Sequence, residues 1–345
     1  METAKKVNSL ILLRGVAVLS VCFCHFGLPL AKGNFLSGMF DAFHTYGQYG
    51  VHIFFVISGF IIPLSMDKAG YKIKYYPRFL YKRAIRLHPP YLVALALTFI
   101  IVALANRAKH IPFPETLPDV IKSCFYFHIP EENPVFWTLR VEAEYYLFIG
   151  LFFLLVKKFP KLTICVAIPI LMFISQIPIS EEKNLGPFIT FFLIGIVAYM
   201  MYNKVGSYIV ALIGLISLII FSFIFFPLAA AISASFTVLF ILLYKGNGNT
   251  FFDFFGEISY SVYLIHFPIG VKLLNMLYHH LNPRYYIFLF IMTIILVTVI
   301  SWIFWKFIEK PSGDLSNKIK YGESKKSPTS LPVGFPTSAL NSGKS

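Results

Sequence analysis

The sequence predicts an all-α, polytopic integral membrane protein with about ten transmembrane helices and both termini in the cytoplasm. Of its 345 residues, 57% are hydrophobic and only 13% are charged, whereas a soluble domain has about 25% charged residues. Long apolar stretches follow one another along the whole chain, and the Lys and Arg residues alternate between sparse and dense loops. These three observations exclude a soluble, disordered or disulfide-stabilised protein.

The apolar stretches give the number of spans. A bilayer core about 30 Å thick requires about 20 mostly apolar residues in a helix. We predict spans near residues 9–29, 47–66, 88–106, 135–156, 161–179, 186–203, 207–225, 227–244, 256–279 and 285–307. The seventh and eighth spans meet at Pro227, and a single kinked helix there would reduce the count to nine.

The charges give the orientation and the domain boundaries. With the N-terminus inside, most of the 30 Lys and Arg residues fall in cytoplasmic segments, as the positive-inside rule requires. The net charge of +14 therefore reports topology and attraction to anionic membrane lipids, and no basic-aromatic module predicts nucleic-acid binding. We expect a membrane domain over residues 1–312 and a mostly disordered cytoplasmic tail, rich in Ser, Pro and Gly, over residues 313–345.

Ionisable groups inside the spans are the candidates for function, because such groups usually face a protein interior or a water-filled cavity. Arg14 and His25 are eleven residues apart in the first span, which places them on one helix face about 16 Å apart along the axis. An Arg near the cytoplasmic mouth suits an anionic ligand, and a deeper His suits proton transfer. The alternative is a snorkelling Arg and a packing His.

The fourth span carries three further ionisable groups. Arg140 and Glu144 are four residues apart and are expected to pair on one face. Glu142 points away from them, at a depth similar to that of His25, so a Glu142–His25 pair across helices is one interpretation. A structural salt bridge between helices is the other.

Two more segments offer candidate residues. Arg83 and Arg86, three apart before His88-Pro89-Pro90, fit either anionic-lipid binding or a clamp for a phosphorylated ligand. His266 lies in the ninth predicted span within a Ser- and Tyr-rich stretch, where such residues often bond between helices.

Six motifs in order resemble the acyltransferase 3 family of multi-pass membrane proteins, which O-acylate sugars and glycans. The resemblance runs from residue 8 to about residue 312. The motifs are LRGVAVLSVCFCHF, GQYGVHIFFVISGFII, KRAIRLHPPY, FWTLRVEAEYYLF, GEISYSVYLIHFPI and FIEKPSG. They carry Arg14 and His25, the pair Arg83 and Arg86, then Trp137, Thr138 and Glu142, and finally His266 and Glu309. Two positions depart from the family pattern: His52 stands where many relatives have a carboxylate, and Arg140 stands where the residue is usually small or variable.

The resemblance implies transfer of an acyl group, commonly acetyl, from cytoplasmic acetyl-CoA to a hydroxyl of a surface or exported glycan or of a lipid-linked sugar. It implies acyl-CoA as a co-substrate and no tightly bound cofactor or metal. It also implies a multi-pass protein of a cell membrane, in the first instance a bacterial inner membrane. Arg14, Arg83 and Arg86 would bind the phosphates of CoA on the cytoplasmic side.

The chemistry is assigned to two residues and their neighbours. His25, oriented by Glu142, would act as general base or carry the acyl group. Ser58, Trp137, Thr138 and His266 would support or contact the substrates, with Thr138, Ser58 or backbone amides as candidate oxyanion donors.

Two other functions remain open from the residues alone. Ten spans with buried ionisable groups also fit a secondary transporter that uses Arg14, His25 and Glu142 as a proton and substrate relay. The two halves of the chain show no evident internal repeat, however, and many transporters have one. The third possibility is a glycan-binding or assembly scaffold without catalytic activity.

Overall fold

The structure, a computed structural model, describes residues 2–31, 35–177, 183–246 and 249–321, with side chains from residue 9 onward. Within these ranges the chain forms helices and no strand, so the all-α prediction is confirmed. The first eight helices are α1 Glu2–Leu30, α2 Ser37–Gly47, α3 Gly50–Lys68, α4 Tyr76–Ala108, α5 Leu117–Cys124, α6 Trp137–Lys158, α7 Pro160–Leu162 and α8 Ile168–Ile174. The others are α9 Leu185–Tyr202, α10 Tyr208–Phe225, α11 Leu228–Leu243, α12 Thr250–Glu257, α13 Ser259–Ile265, α14 Lys272–Leu277, α15 Tyr286–Phe304 and α16 Lys310–Lys318.

The protein is an integral membrane protein. Six helical segments in the described part of the chain are long and apolar enough to cross a bilayer. They are Ser9–Leu30, Ser37–Lys68, Ile73–Ala108, Leu185–Tyr202, Tyr208–Phe225 and Pro283–Lys318. The apolar helices Pro160–Ile174 and Leu228–Leu243 are shorter. The count of ten spans and the cytoplasmic position of both ends stay predictions.

Helix α4 differs from the segment that the sequence predicts. The sequence predicts a new helix from His88, because a proline inside a helix removes a backbone donor and kinks or breaks that helix. The structure instead has one helix from Tyr76 to Ala108 that continues through Pro89 and Pro90. Beside the two prolines, the carbonyl of Leu87 accepts a hydrogen bond from the Tyr260 hydroxyl (2.8 Å), which connects α4 to α13. Arg83 and Arg86 are therefore on the same helix as the predicted third span.

The structure also bears on two predicted boundaries, the one between the seventh and eighth spans and the one between the membrane domain and the tail. Pro227 lies between two separate helices, α10 and α11, rather than within one kinked helix. At the other end, α16 continues to Lys318, beyond the domain boundary expected at residue 312. The rest of the predicted tail, residues 322–345, lies outside the described residues.

Helix α1 lies at the centre of the packing and positions the site. It contacts α2, α3, α12 and α13, and it crosses α12 with the two backbones in direct contact. A Cβ on Gly15 would overlap the carbonyl oxygen of Phe252, and a Cβ on Gly256 would overlap that of Ile11. Glycine permits this approach between membrane helices. The crossing sets α1 directly against the segment that begins α13.

Candidate active site

The arginine end of the site begins with Arg14. The Arg14 Nε and Nη2 atoms both donate to the hydroxyl oxygen of Ser259, at 3.1 and 2.9 Å. Ser259 is fully buried and donates its own hydrogen to the carbonyl of Gly256 (2.8 Å). This arrangement follows from the close crossing of α1 and α12, because Gly15 adjoins Arg14 and Gly256 adjoins the start of α13.

Helix α4 brings two further guanidinium groups to the same place. Arg83 Nη2 donates to Ser65 Oγ at the end of α3 (3.0 Å), and the guanidinium carbon lies 5.6 Å from the Tyr146 ring centre. Arg86, one turn later, interacts electrostatically with both Arg83 and Arg14. Among the described residues, the buried Nε of Arg83 has no hydrogen-bond partner. Arg86 makes no hydrogen bond to a described residue.

One carboxylate faces these arginines. Glu309 accepts hydrogen bonds from the backbone nitrogen and the hydroxyl of Ser261, at 3.0 and 2.5 Å. Its charge acts on Arg86, and the charge of Arg14 acts on it in turn. Sequence reasoning placed Glu309 in a motif but gave it no role. The available signal was an acidic residue at the end of the last predicted span, close to Lys306 and Lys310.

The face of α6 that points into the bundle carries Thr138, Glu142 and Tyr146, each one turn after the last. Thr138 is buried and donates to the Tyr263 hydroxyl (2.7 Å), which donates to the carbonyl of Val135 (2.9 Å). Glu142 accepts a hydrogen bond from the Tyr146 hydroxyl. A chain of polar groups therefore runs along α6 toward Arg83.

A cluster of tyrosines surrounds Glu142. Burial, and secondly the negative charge of Glu142, raise the pKa of Tyr126, which lies in the loop after α5. The same charge acts on Tyr145, Tyr260 and Tyr263. Glu142 therefore lies among phenol groups.

The other end of the site is a pair of histidines. The ring centres of His25 and His266 are 5.3 Å apart, and Phe267 packs edge-on against His25 at 5.3 Å. His266 is fully buried, and its Nδ1 lies 2.7 Å from the carbonyl oxygen of Tyr263 and 3.1 Å from that of Val262. His266 also begins a π-helical segment, His266–Val271. The segment contains Pro268, which cannot donate the usual helical hydrogen bond, and π-helical segments are frequent at functional sites.

We call this set the polar column: Arg14, Arg83, Arg86, Glu309, Ser259 and Ser261 at one end, Glu142, Tyr146, Thr138 and Tyr263 in the middle, and His25 and His266 at the other end. The structure brings the three predicted arginines together, and it places Thr138 and His266 on either side of Tyr263. It does not join Glu142 to His25 among the described contacts. Glu142 lies one helical turn after Thr138 and accepts its hydrogen bond from Tyr146. His25 instead contacts His266.

The remaining predicted residues lie around the histidine end or outside the column. The ammonium group of Lys183 lies 4.7 Å from the ring centre of Trp137, and its charge acts on His25. Arg140 Nε and Glu144 Oε1 form the expected pair at 3.2 Å, beside a cavity of about 220 Å³ that Lys183 also lines. Ser58 is half-buried on α3 and has no hydrogen bond to another described residue.

His52 lies outside the polar column. His52 packs edge-on against Phe191, with ring centres 4.5 Å apart, and takes no part in the column. In the ranges that the structure describes, no group of three His, Cys, Asp or Glu side chains is arranged to hold a metal ion.

Comparison with known families identifies the class of protein. A family model described as an acyltransferase domain matches residues 7–302. The chain belongs to the acyltransferase 3 family. No curated protein and no solved structure matches it. The acyltransferase 3 match covers every residue of the polar column except Glu309, and with the apolar helices it makes the protein a multi-pass membrane acyltransferase.

Proposed function

We propose that this acyltransferase moves an acyl group, acetyl in the first instance, from cytoplasmic acyl-CoA to a sugar hydroxyl of a surface or exported glycan. The observation that carries the proposal is the meeting of Arg14, Arg83 and Arg86 at one end of the polar column. Within the described residues, the buried Nε of Arg83 has no hydrogen-bond partner, and Arg86 makes no hydrogen bond. Burying like charges together is costly unless an anion neutralises them.

The phosphates of CoA fit this end of the column. Guanidinium groups form strong, two-point hydrogen bonds with phosphate oxygens, and CoA carries a pyrophosphate and a further phosphate. From Arg14 to His25 the column extends about 16 Å along α1. A donor held by its phosphates at the arginines can therefore extend its thin thioester arm between the helices toward His25.

The acyl group is transferred at the histidine end of the polar column. The oxygen of the sugar hydroxyl attacks the thioester carbonyl, the carbon–sulfur bond breaks, and CoA leaves as the thiolate. His25 takes the hydroxyl proton as general base and returns it to the thiolate. In the second form of the mechanism, His25 attacks the thioester first and carries the acyl group to the sugar.

Other column residues support His25 in this proposal. Glu142 acts from a distance, through the tyrosines and Thr138, because its own hydrogen bond goes to Tyr146. Trp137, with Lys183 over its ring, lies at the histidine end and offers an aromatic face to a sugar. The acceptor would approach from that side, opposite to the donor.

The experiment measures release of free CoA from acetyl-CoA by the purified protein in lipid nanodiscs, with and without glycan acceptors. Arg83→Gln and Arg86→Gln are each expected to raise the KM for acetyl-CoA by about 10-fold or more, since a hydrogen bond to a charged group contributes about 1.5–3 kcal/mol. Arg78→Gln is the matched control, because Arg78 is exposed on the same helix. Acetyl-pantetheine, which lacks these phosphates, should show the same KM with all four proteins.

Two results would count against the proposal. If no acceptor stimulates CoA release by the wild-type protein, while proteoliposomes accumulate a substrate in a proton-dependent manner, the protein is a transporter. If the two column variants raise the KM for acetyl-pantetheine as much as that for acetyl-CoA, the arginines do not bind the phosphates.

A further inference from the structure

The protonation of His266 follows from its hydrogen bonds. Its Nδ1 lies within hydrogen-bond distance of two carbonyl oxygens, those of Tyr263 and Val262. Carbonyl oxygens only accept, so Nδ1 must carry the hydrogen. The side chain is fully buried, and a second proton would create a buried charge, which requires a paired counter-charge. The Nε2 atom of His266 is therefore a bare acceptor.

This acceptor has no partner. Nε2 of His266 is buried and makes no hydrogen bond within the described residues. Buried polar atoms without a partner are rare in native proteins, and each one calls for an explanation. A ligand, a water molecule or a movement of a neighbouring side chain would bring a donor to this atom.

His25 is the neighbour suited to supply the donor. The other rings around His266 are those of Phe26, Phe267 and Tyr263. The two Phe rings have no polar hydrogen, and the Tyr263 hydroxyl already donates to Val135. His25 has a ring N–H, and its ring centre lies 5.3 Å from that of His266. Two imidazoles joined by an N–H···N bond of about 3 Å have ring centres at about this separation.

We propose that His266 is a positioning residue for His25, a role that rests on the proposed acyl transfer. A rotation of the His25 ring brings one of its nitrogens to the His266 Nε2, which then accepts a hydrogen bond from it and fixes the tautomer of His25. The second nitrogen of His25 is then bare and is presented to the substrates. When that nitrogen takes the proton of the sugar hydroxyl, or forms the bond to the acyl carbon, the positive charge on His25 is stabilised by the hydrogen bond to His266.

This arrangement gives His266 the part that a carboxylate plays beside many catalytic histidines. A neutral imidazole suits a position that is fully buried among aromatic rings, where an unpaired carboxylate would be costly. His266 itself gains and loses no proton in the cycle.

The test uses two substitutions that each keep one nitrogen position of His266. His266→Asn retains an amide near Nδ1 and loses the acceptor at Nε2, while His266→Gln reaches the Nε2 position with an amide that can accept. We expect the kcat for acceptor-dependent CoA release to be about 100-fold lower in His266→Asn than in the wild type. In His266→Gln the kcat should be at least tenfold higher than in His266→Asn. The KM for acetyl-CoA should stay unchanged in both.

A second measurement does not depend on acyl transfer. Diethyl pyrocarbonate modifies bare imidazole nitrogens, and mass spectrometry of peptides reports the rate at His25. That rate should fall several-fold in His266→Asn and return in His266→Gln. His52→Asn is the control, because the His52 Nδ1 is also buried without a partner in the described chain but lies among the aromatic rings of α3 and α9. It should leave both measurements unchanged.

The outcomes distinguish the proposed acyl transfer from the positioning role of His266. If wild type transfers no acyl group but the His25 modification rates follow the predicted order, the proposed function is wrong and the positioning role stands. If wild type is active and the Asn and Gln variants are folded but equally impaired, or equally reactive at His25, the positioning role is wrong. Equal activity of both variants and wild type would overturn it as well.

Discussion

Arg14 and Ser259 are joined by two hydrogen bonds, from Nε and Nη2 of the guanidinium group to one hydroxyl oxygen, at 3.1 and 2.9 Å. This contact connects α1, which carries His25, to α13, which leads to His266. One helix pair therefore positions both ends of the polar column. The donor phosphates and the reacting histidine would be held by the same two segments of backbone.

Ser259→Ala removes the shared acceptor of this pair without changing the charge. Arg14 then loses two charge-assisted bonds that fix its guanidinium group, each contributing about 1.5–3 kcal/mol. We expect the KM for acetyl-CoA to rise about 10-fold, with a smaller change in kcat, as measured by CoA release. Ser235→Ala is the control, since the buried Ser235 hydroxyl has no hydrogen-bond partner in the described chain. A fall in kcat at constant KM would show that Ser259 acts on the chemistry instead.

Two adjacent tyrosines provide a matched test of the bond to Glu142. Tyr146→Phe removes the hydroxyl that donates to Glu142 and leaves a half-buried carboxylate short of a partner, at a cost of about 1–3 kcal/mol. Tyr145→Phe removes a buried hydroxyl that has no partner in the described chain, which is neutral or stabilising. Thermal unfolding in detergent should therefore show a lower Tm for Tyr146→Phe only. Equal losses in both variants would contradict the assigned bond.

The crossing of α1 and α12 gives a prediction about folding. Gly15→Val places methyl groups where the Phe252 backbone lies, and overpacking of this kind costs about 1–3 kcal/mol or more. We expect a lower Tm and loss of acyl transfer, because Arg14 and Ser259 are displaced together. Gly38→Val is the control, since a Cβ on Gly38 meets no atom within 4 Å. If Gly15→Val is as stable and active as Gly38→Val, the close crossing is not required.

Helical spacing was enough to predict the features that lie on one helix. The eleven-residue interval placed Arg14 and His25 on one face of α1, and both face the bundle interior, toward Ser259 and His266. The i, i+4 interval predicted the pair formed by Arg140 and Glu144. Composition was enough to predict an all-α membrane protein, because apolar length alone identifies candidate spans.

Contacts between helices could not be predicted in the same way. Depth alone suggested that Glu142 pairs with His25, but depth does not fix the rotation of one helix around another. In the structure, Tyr146 on the same helix takes the hydrogen bond to Glu142, and His266 packs against His25. The contacts of Glu309 were missed for a similar reason, since its hydrogen bonds with Ser261 join segments far apart in sequence.

The most direct test of the account is the fate of the acyl group. Membrane vesicles that contain the protein and a candidate surface glycan are supplied with acetyl-CoA labelled with ¹³C in the acetyl group, and the glycan is analysed by mass spectrometry. The account predicts labelled acetyl esters on the glycan that are removed by mild alkali, and at least a 100-fold lower yield with His25→Ala. Absence of labelled ester with the wild-type protein, or an equal yield with a folded His25→Ala variant, would contradict it.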